Sequence, residues 1–514
     1  MDESVDGVGH ARAYVRAHRG GDRTVATSQR CRADAVRADP WALAAAKRGK
    51  NDAVLPRACP FRSRAPSFAW TVALTMISFV IATLTLPPRA IAQTDTTVHI
   101  VTPSEYVDQA LGVIERNSFY APKVDMAAIR RRAMTKAAQA PNLDATYPII
   151  DEAIKATGDR HGLFRPPATQ TLLTQGKIEG YGLVIVWPSR LVVSLASGGP
   201  AELAGVKLGD RVDEVNGQAP EHGAHEVVFP KDTAGVLLPD VTLSLHREAQ
   251  QLTVAIHRGQ ASTVNVPVAQ AAPTAAGSAL AGQVGYLEVP GLVGDPGTQT
   301  TFAQQTQALL GSLDGAARCG WVIDLRKNKG GYIAAMLAGI APLVGPSPLV
   351  ASVRADGSRL AWTYSDGDLR QGNQSALRFS PSPALPSGAR PVAVLTSALT
   401  ASAAEATALA FKGRAKARVF GEPTFGLTSY TALSVLHDGA SVTVTNALDV
   451  DAAGRTYDGP VPPDELVAVD WSQIATPTDP VLSAAVRWLG GLKGCAVPKV
   501  GSTIQASTRT RRRR

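Results

Sequence analysis

The sequence has few cysteines and no arrangement of them that would hold a metal. Its 514 residues include four, Cys31, Cys59, Cys319 and Cys495, which form no C-x-x-C pair and have no paired histidines nearby. Zinc sites of the common kinds need such spacing, so we expect no metal. A disulfide between Cys319 and Cys495 stays open, because export would favour the bond while Cys319 before a strand also fits a buried thiol.

Charged residues are also scarce, at 18% of the chain, whereas hydrophobic residues make up 45%. This balance excludes a wholly disordered chain, a collagen-like repeat and a polytopic membrane protein. No internal repeat of about 20 to 50 residues is visible. The length exceeds what one hydrophobic core usually supports, so we expect several domains.

The net charge of +9 comes from the two ends of the chain. Residues 1–66 contain 13 Lys and Arg against 7 Asp and Glu, and five arginines lie between residues 509 and 514, so residues 67–508 carry a net charge of −2. A nucleic-acid-binding protein carries positive charge on the folded surface that meets phosphate. The near-neutral body therefore argues against nucleic acid as a partner.

An uncharged apolar stretch at residues 68–86 follows two arginines and precedes an A-I-A site that ends at Ala92. Residues 67–92 thus have the layout of a secretory signal. We expect cleavage after Ala92, a mature chain beginning at Gln93, and a location in the periplasm or cell envelope. Retention of 68–86 as a membrane anchor stays open, because its length nearly matches a bilayer. The basic extension, residues 1–66, shows no motif and is either disordered or not translated.

The rest of the chain changes pattern several times, which predicts a multidomain α/β fold. Apolar residues at helical spacing come first, short β runs punctuated by Gly and Pro follow, and strands alternate with helices after a stretch rich in Ala, Pro and Gly. The predicted regions are a helical segment at 95–177, a β-rich module at 178–262, a linker at 263–282, an α/β core at 283–480 and a C-terminal segment with a basic tail at 481–514.

Residues 198–217, G-G-P-A-E-L-A-G-V-K-L-G-D-R-V-D-E-V-N-G, resemble the PDZ-domain motif P-A-x-x-A-G-x-x-x-G-D-x-[IV]. The resemblance implies a PDZ-like domain, which adds a C-terminal peptide to a sheet edge and binds its carboxylate with backbone N–H groups of a glycine-containing loop. Gly180, Tyr181, Gly182 and Leu183 stand at that loop. A packing module without peptide affinity is the alternative.

Ser402 follows an apolar strand at residues 392–395 and begins a helical run, in T-A-S-A-A-E. A hydroxyl there suits a nucleophile, because N–H groups at a helix N-terminus bind an oxyanion. The S-x-x-E spacing to Glu405 fits a plain capping box equally well. Another strand runs into the Gly330-Gly331 turn of D-L-R-K-N-K-G-G, which is either a second source of N–H donors or a simple strand-to-helix turn.

These motifs, with G-E-P-T-F-G at 421–426 and G-P-V-P-P-D at 459–464, resemble the C-terminal processing (tail-specific) serine peptidases in order and spacing. The helical segment, PDZ-like insert and α/β core follow the same order. The resemblance implies the tail-specific protease fold and a serine endopeptidase with Ser402 as nucleophile. It also implies an oxyanion hole of the Ala403 N–H and Gly330 or Gly331, and no cofactor.

The sequence departs from the lysine-dependent members of this family at the general base. Their motif resembles T-F-G-K, but here the last residue is Leu427, which cannot accept a proton. The branch that resembles nisin-resistance peptidases and the tricorn core takes a histidine from the helical segment, where His161 stands in D-R-H-G. His161 is therefore the predicted base, whereas Lys412 and Lys416 are expected to be solvated.

The orienting partner of the imidazole is predicted as Glu405 or an acid near Asp458. The expected function is an exported serine endopeptidase that hydrolyses peptide bonds near the C-termini of peptides or unfolded proteins. The alternative is a non-catalytic, PDZ-type C-terminus-binding protein on the same fold, which the missing lysine makes reasonable. Nothing in the sequence indicates an oligomeric state.

Overall fold

The computed structural model describes residues 101–232, 236–262, 267–273, 282–345, 348–381, 385, 390–492 and 495. The predicted basic extension, the signal or anchor segment and the basic tail lie outside these residues. None of the helices within these ranges is both long and apolar enough to cross a membrane.

The helical segment opens the described part of the chain and shows the predicted helical spacing. Thr102 and Glu105 form a capping box at the start of its first helix, whose buried stripe includes Tyr106, Ala110 and Ile114. The elements are α1 (Pro103–Asn117), α2 (Met126–Ala137), α3 (Tyr147–Ala156), β1 (Leu163–Arg165) and α4 (Pro167–Thr174).

The β-rich module follows directly and has its own buried core. Gly205 and Gly209 have φ angles of 91° and 86°, so its two tight turns need glycine. Arg247 pairs with the buried Asp210 at 2.7 Å and fixes the second turn. The elements are β2 (Lys177–Gly180), β3 (Leu183–Ile185), β4 (Val192–Leu195), α5 (Pro200–Leu203), β5 (Arg211–Val215), β6 (Asp240–Arg247), β7 (Gln250–His257) and β8 (Gly259–Ser262).

The remaining elements form the α/β core. In chain order they are β9 (Val268–Ala271), β10 (Val284–Glu288), α6 (Pro296–Leu313), β11 (Gly320–Asp324), α7 (Ile333–Val344), β12 (Val350–Arg354), β13 (Arg359–Ser365), β14 (Asp368–Gln371), β15 (Gln374–Arg378), β16 (Val392–Thr396), α8 (Ala403–Leu409), β17 (Ala417–Gly421), β18 (Ser429–Val435), β19 (Ser441–Val450), β20 (Glu465–Leu466) and α9 (Pro480–Gly490).

A six-stranded sheet with the order β20-β17-β16-β11-β10-β9 lies at the centre of this core. Its neighbours are parallel except β9, which is antiparallel to β10. Helices α6, α7 and α8 contribute to the apolar cluster that includes β11, and α9 packs in a separate cluster with β11, β16 and β17. Because both faces are covered, the strands are nearly continuous apolar runs. The predicted α/β fold class is confirmed.

A second, antiparallel sheet carries the helical segment. Its strand order is β1-β19-β12-β13-β14-β15, and β18 pairs with β19 as well. Strand β1 joins β19 with Leu163 opposite Thr443. The turn before β1, which contains His161, is therefore attached to the core by backbone pairing.

Two predicted boundaries differ from the structure. Strand β9 lies inside the predicted linker at 263–282, because small residues in V-A-Q-A pair through their backbone and give no apolar signal. Helix α9 begins at Pro480, at the end of the predicted core, and packs on the core sheet rather than in a separate C-terminal segment. The disulfide left open by the sequence is formed between Cys319 and Cys495.

A buried ion cluster connects the end of β11 to the start of α9. The Arg326 guanidinium binds Asp324 at 2.5 Å and Asp479 at 2.8 Å, and all three side chains are buried. Tyr286 donates a further hydrogen bond of 2.7 Å to Asp324, while Asp479 caps α9. Each buried charge is thus paired and hydrogen-bonded, as the cost of desolvation requires.

We expect Arg326→Ala to lower the free energy of unfolding by about 3 to 5 kcal/mol, because it leaves two buried carboxylates unpaired. Urea unfolding followed by circular dichroism measures the change. The matched control is Arg378→Ala. Arg378 pairs with Asp368, but its side chain is 69% exposed, so the substitution should lower the free energy of unfolding by less than about 1 kcal/mol. Equal effects of the two substitutions would contradict the prediction.

Candidate active site

Ser402 lies at the start of α8, on a tight turn that follows β16. Its φ and ψ are 56° and −120°, a conformation that residues with a Cβ rarely adopt, and its side chain is partly exposed. Two hydroxyls hold the turn against the end of β11, since Thr400 Oγ1 donates to Leu325 O at 2.9 Å and Ser397 Oγ to Arg326 O at 2.6 Å. Strain of this kind concentrates at functional sites.

The glycine turn after β11 lies against the Ser402 turn. A Cβ on Gly330 would stand 2.8 Å from Ser402 Cβ and 3.2 Å from the Ala403 nitrogen, so only glycine permits this approach. The Gly330 N–H donates to Asn328 Oδ1 at 2.8 Å. Within the described residues, the N–H groups of Gly331 and Ala403 donate no hydrogen bond. The N–H of Ala403, next to Ser402, and the N–H of Gly331, in the adjoining glycine turn, are thus without an acceptor in these ranges.

Glu405 attaches the Ser402 turn to the segment at 424–427. Its buried carboxylate accepts hydrogen bonds from the N–H groups of Ser402 at 2.8 Å, Gly426 at 2.8 Å and Leu427 at 2.7 Å, and from the Thr424 hydroxyl. Burial raises the pKa of Glu405. No hydrogen bond joins Glu405 to His161 in the described part of the chain, so its role in orienting the imidazole stays a prediction.

His161 lies in the turn between α3 and β1, and Asp159 fixes the backbone of that turn. Asp159 Oδ1 accepts from the N–H groups of His161 at 3.0 Å and Gly162 at 2.8 Å. The same carboxylate accepts from the N–H of Thr445 at 2.6 Å and from its hydroxyl at 2.7 Å. The histidine turn is therefore bound to β19 by side-chain contacts as well as by strand pairing.

The imidazole of His161 faces a small cleft. Its Nδ1 is 2.8 Å from Ser429 Oγ, and the cleft is also lined by Tyr120, Leu427 and Asp458. Burial lowers the pKa of His161 to about 4, although the charge of Asp159 acts in the opposite direction. The ring is therefore neutral near pH 7, as a general base must be.

One segment, residues 424–429, contacts the turns of both the predicted nucleophile and the predicted base. The Leu427 N–H donates to Glu405, which also binds the Ser402 N–H, and Leu427 lines the cleft of His161. No hydrogen bond between Ser402 and His161 is present among the described residues. Within the same ranges, no group of three or more His, Cys, Asp or Glu side chains is arranged to hold a metal ion.

The prediction that Lys412 is solvated is wrong. Its side chain is 3% exposed. Its Nζ forms an ion pair with Asp464 and donates to the carbonyl of Pro462 at 2.8 Å. The helix exit on which it lies folds back against the 462–464 segment, a contact that local sequence does not show. Lys416 is exposed, as expected.

The predicted carboxylate-binding loop connects β2 to β3. The Tyr181 ring is buried, its hydroxyl donates to Leu238 O at 2.7 Å, and its carbonyl accepts from the Ala201 N–H at 2.9 Å. The carbonyl of Gly182 accepts from the Ala196 N–H at 2.8 Å. Peptide binding by residues 180–183 stays a prediction.

The β-rich module contacts both turns of the candidate site. Glu226 pairs at 2.7 Å with Lys329, the residue before Gly330. The ring of His225 lies 6.1 Å from that of Phe425 in an edge arrangement. A small apolar cluster also joins Val186 and Val193 of the module to Leu399, three residues before Ser402. The β-rich module therefore packs against the glycine and serine turns.

Residues 283–467 match the model of Peptidase family S41. The chain is 26% identical over 345 residues to carboxyl-terminal-processing peptidase 2, chloroplastic, of Arabidopsis thaliana, which covers 62% of this chain and 61% of that protein. It is 26% identical over 204 residues to the nisin-resistance protein of Lactococcus lactis subsp. lactis, which covers 40% and 59%. The chain thus spans about three fifths of the length of these relatives.

Among solved structures, a photosystem II D1 C-terminal processing protease is similar with a TM-score of 0.48 and 23% identity, over 77% of this chain and 100% of that one. The family match confirms the predicted resemblance to the C-terminal processing peptidases, whereas the resemblance to their histidine-dependent branch stays a prediction. The family is one of serine-type peptidases, which is also the predicted enzyme class.

We expect His161 to titrate near pH 4, because burial disfavours the imidazolium. Two-dimensional ¹H–¹⁵N NMR of histidine-labelled protein, with His161→Gln used for assignment, measures the titration. Arg165→Gln should raise the pKa of His161, since the Arg165 charge lowers it. A His161 ring that titrates at or above 6.5 in the parent protein would contradict the prediction.

Proposed function

From the match of residues 283–467 to Peptidase family S41, we propose that this chain is an exported serine endopeptidase that cleaves near the C-termini of peptides or unfolded proteins. Ser402 is the nucleophile and His161 the general base. One observation carries the proposal: Ser402 is a strained, partly exposed residue at a helix N-terminus, next to the Ala403 N–H, which has no acceptor among the described residues, and packed against the glycine turn of Gly330.

In the proposed reaction, Ser402 Oγ attacks the scissile carbonyl carbon and its proton passes to His161 Nε2. The tetrahedral oxyanion is stabilised by the N–H groups of Ala403 and Gly331, while Gly330 provides the space for close approach. The imidazolium then protonates the leaving amine, and water hydrolyses the acyl-enzyme by the same route in reverse. Because Ser402 and His161 are not hydrogen-bonded in the described conformation, attack requires a local rearrangement, as catalytic contacts often tighten with substrate.

The substrate class is proposed from the β-rich module, at 178–262, which we take as a PDZ-like domain. Residues 180–183 would receive the carboxylate of a C-terminal peptide. The ion pair between Glu226 and Lys329 supports delivery to the site, because it joins the module to the turn that contains Gly330. The carboxyl-terminal-processing names of similar proteins support the same class.

A non-catalytic C-terminus-binding protein is the second candidate. It is favoured by Leu427 in place of the family's lysine and by the missing contact between Ser402 and His161. The two candidates differ in one property, the reactivity of the Ser402 hydroxyl.

We expect a fluorophosphonate probe to modify Ser402 of the full chain, with peptide mass spectrometry to identify the residue. Ser402→Ala should abolish both labelling and peptidase activity, while its loss as a helix cap should cost only about 1 kcal/mol of stability. Ser375→Ala, which removes an exposed hydroxyl on β15 that binds Asp368, is the control and should keep a labelled Ser402. An unlabelled Ser402 in a folded parent protein would favour the binding protein.

We expect His161→Ala to lower the labelling and hydrolysis rates by about 10²- to 10⁴-fold, the usual contribution of a general base. A base acts when neutral, so the parent rate should rise with pH through about 4 and level off above it.

Lys416→Ala should leave the rate unchanged. Leu427→Lys should not raise the rate, because an ammonium near His161 disfavours the imidazolium that forms during acylation. An active His161→Ala variant would remove His161 as the base.

We expect the exported protein to begin at Gln93, because an A-I-A site follows the apolar stretch at residues 68–86. N-terminal sequencing of the envelope fraction measures this. Replacing Ala92 with a bulky residue, Ala92→Phe, should block cleavage and retain the protein in the membrane fraction. Parent protein that begins upstream of residue 68 would indicate an anchor instead.

A further inference from the structure

We propose that Asp159, Thr445 and Ser429 form a hydroxyl chain that holds His161 as the Nδ1–H tautomer and leaves the Nε2 lone pair free to act as base. The inference rests on the proposed function, which needs a base but does not say how its tautomer is selected. These three are positioning residues, because they act through His161.

The chain is continuous at hydrogen-bond distances. Asp159 Oδ1 is 2.7 Å from Thr445 Oγ1, which is 3.1 Å from Ser429 Oγ, and Ser429 Oγ is 2.8 Å from His161 Nδ1. Asp159 is 3% and Thr445 1% exposed, so water competes little for these contacts. A β-bulge between β18 and β19 at Tyr430 and Thr431 lies beside the two hydroxyls. Bulges commonly re-aim side chains next to active sites.

Counting protons fixes the direction of every bond. All four contacts of Asp159 come from donors, so its carboxylate acts only as an acceptor. The single hydroxyl proton of Thr445 is therefore used on Asp159, and Thr445 Oγ1 must accept from Ser429. Ser429 then has no proton left for His161, so Ser429 Oγ accepts from Nδ1–H. A neutral imidazole with a proton on Nδ1 has its lone pair on Nε2.

The same carboxylate also holds the backbone on which the ring is mounted, through the N–H groups of His161 and Gly162. Asp159 thus fixes both the position of the turn and, through two hydroxyls, the ring. The negative charge of Asp159 also favours an imidazolium as it forms. The other charged or titratable groups near the ring are Arg165, which disfavours the imidazolium, and Tyr120, Arg160 and Asp458 at the cleft.

The test reads the tautomer directly, in full-length Ser402→Ala protein, so it does not depend on peptidase activity. ¹⁵N NMR of labelled histidine distinguishes a protonated Nδ1 from a protonated Nε2. We expect the His161 signals to show a protonated Nδ1, and Ser429→Ala or Thr445→Val to convert them to a mixture of tautomers. Thr445→Ser keeps the hydroxyl and should keep the Nδ1–H form. If Thr445 acted through packing alone, the tautomer of His161 would not follow the presence of the hydroxyl in the Ser and Val variants.

Ser441→Ala is the matched control, because Ser441 is a buried hydroxyl on the same strand that binds Gln170 instead of the histidine turn. It should leave the tautomer unchanged. With Ser402 present, Ser429→Ala and Thr445→Val should slow fluorophosphonate labelling by about 10- to 100-fold, part of the usual general-base contribution, and Ser441→Ala should not.

A protonated Nε2 in the parent, or an Nδ1–H form that survives Ser429→Ala, would overturn the inference. A parent protein with the Nδ1–H form but an unreactive Ser402 would leave the hydroxyl chain standing and remove the proposed peptidase instead. The two failures are therefore distinguishable. Thermal unfolding of each variant separates loss of the chain from loss of the fold.

Discussion

The buried carboxylate of Glu405 is the interaction on which the geometry of the candidate site depends. An ionised group without solvent is costly unless donors surround it. Here four donors come from two stretches of chain, the Ser402 turn and the segment at 424–427. Because one carboxylate binds donors of both stretches, it holds the two stretches together. The S-x-x-E spacing that begins an ordinary helix thereby also fixes the wall of the histidine cleft.

A second carboxylate, Asp159, completes the site from the other side. The segment fixed by Glu405 continues directly into β18, whose first residue is Ser429. Asp159 binds β19, the partner of β18, and holds the turn that contains His161. The nucleophile turn and the histidine turn are 241 positions apart in sequence. Glu405 joins the first to the segment that leads into β18, and Asp159 joins the second to β19, which pairs with β18. Packing of apolar residues alone would not fix hydroxyl and imidazole orientations to this degree, because it is non-directional.

Much of this architecture follows from local sequence. Apolar runs predict β11 and β16, and the pattern T-A-S-A-A-E predicts Ser402 at a helix start, because strand periodicity and capping are short-range properties. Ser429 and Thr445 could not be identified in this way. Each is an ordinary hydroxyl in a strand, and its partners lie 16 to 286 positions away. The burial of Lys412 and the pairing of β9 were missed for the same reason, since both depend on contacts between distant parts of the chain.

In the proposed mechanism the base differs from the family's lysine, and the contacts of Leu427 are compatible with that difference. Its backbone N–H binds Glu405 at 2.7 Å, a contact that any residue except proline could make. The side chain takes no part in that hydrogen bond, and Leu427 is an apolar residue at the cleft of His161. Such a wall suits a neutral imidazole, because burial disfavours the charged form, whereas an ammonium in its place would repel the imidazolium. The absence of lysine at 427 is thus compatible with catalysis as soon as a base enters from another segment. In the proposed mechanism, peptidase activity consequently depends on His161, with the hydroxyls behind it, rather than on the residue at position 427.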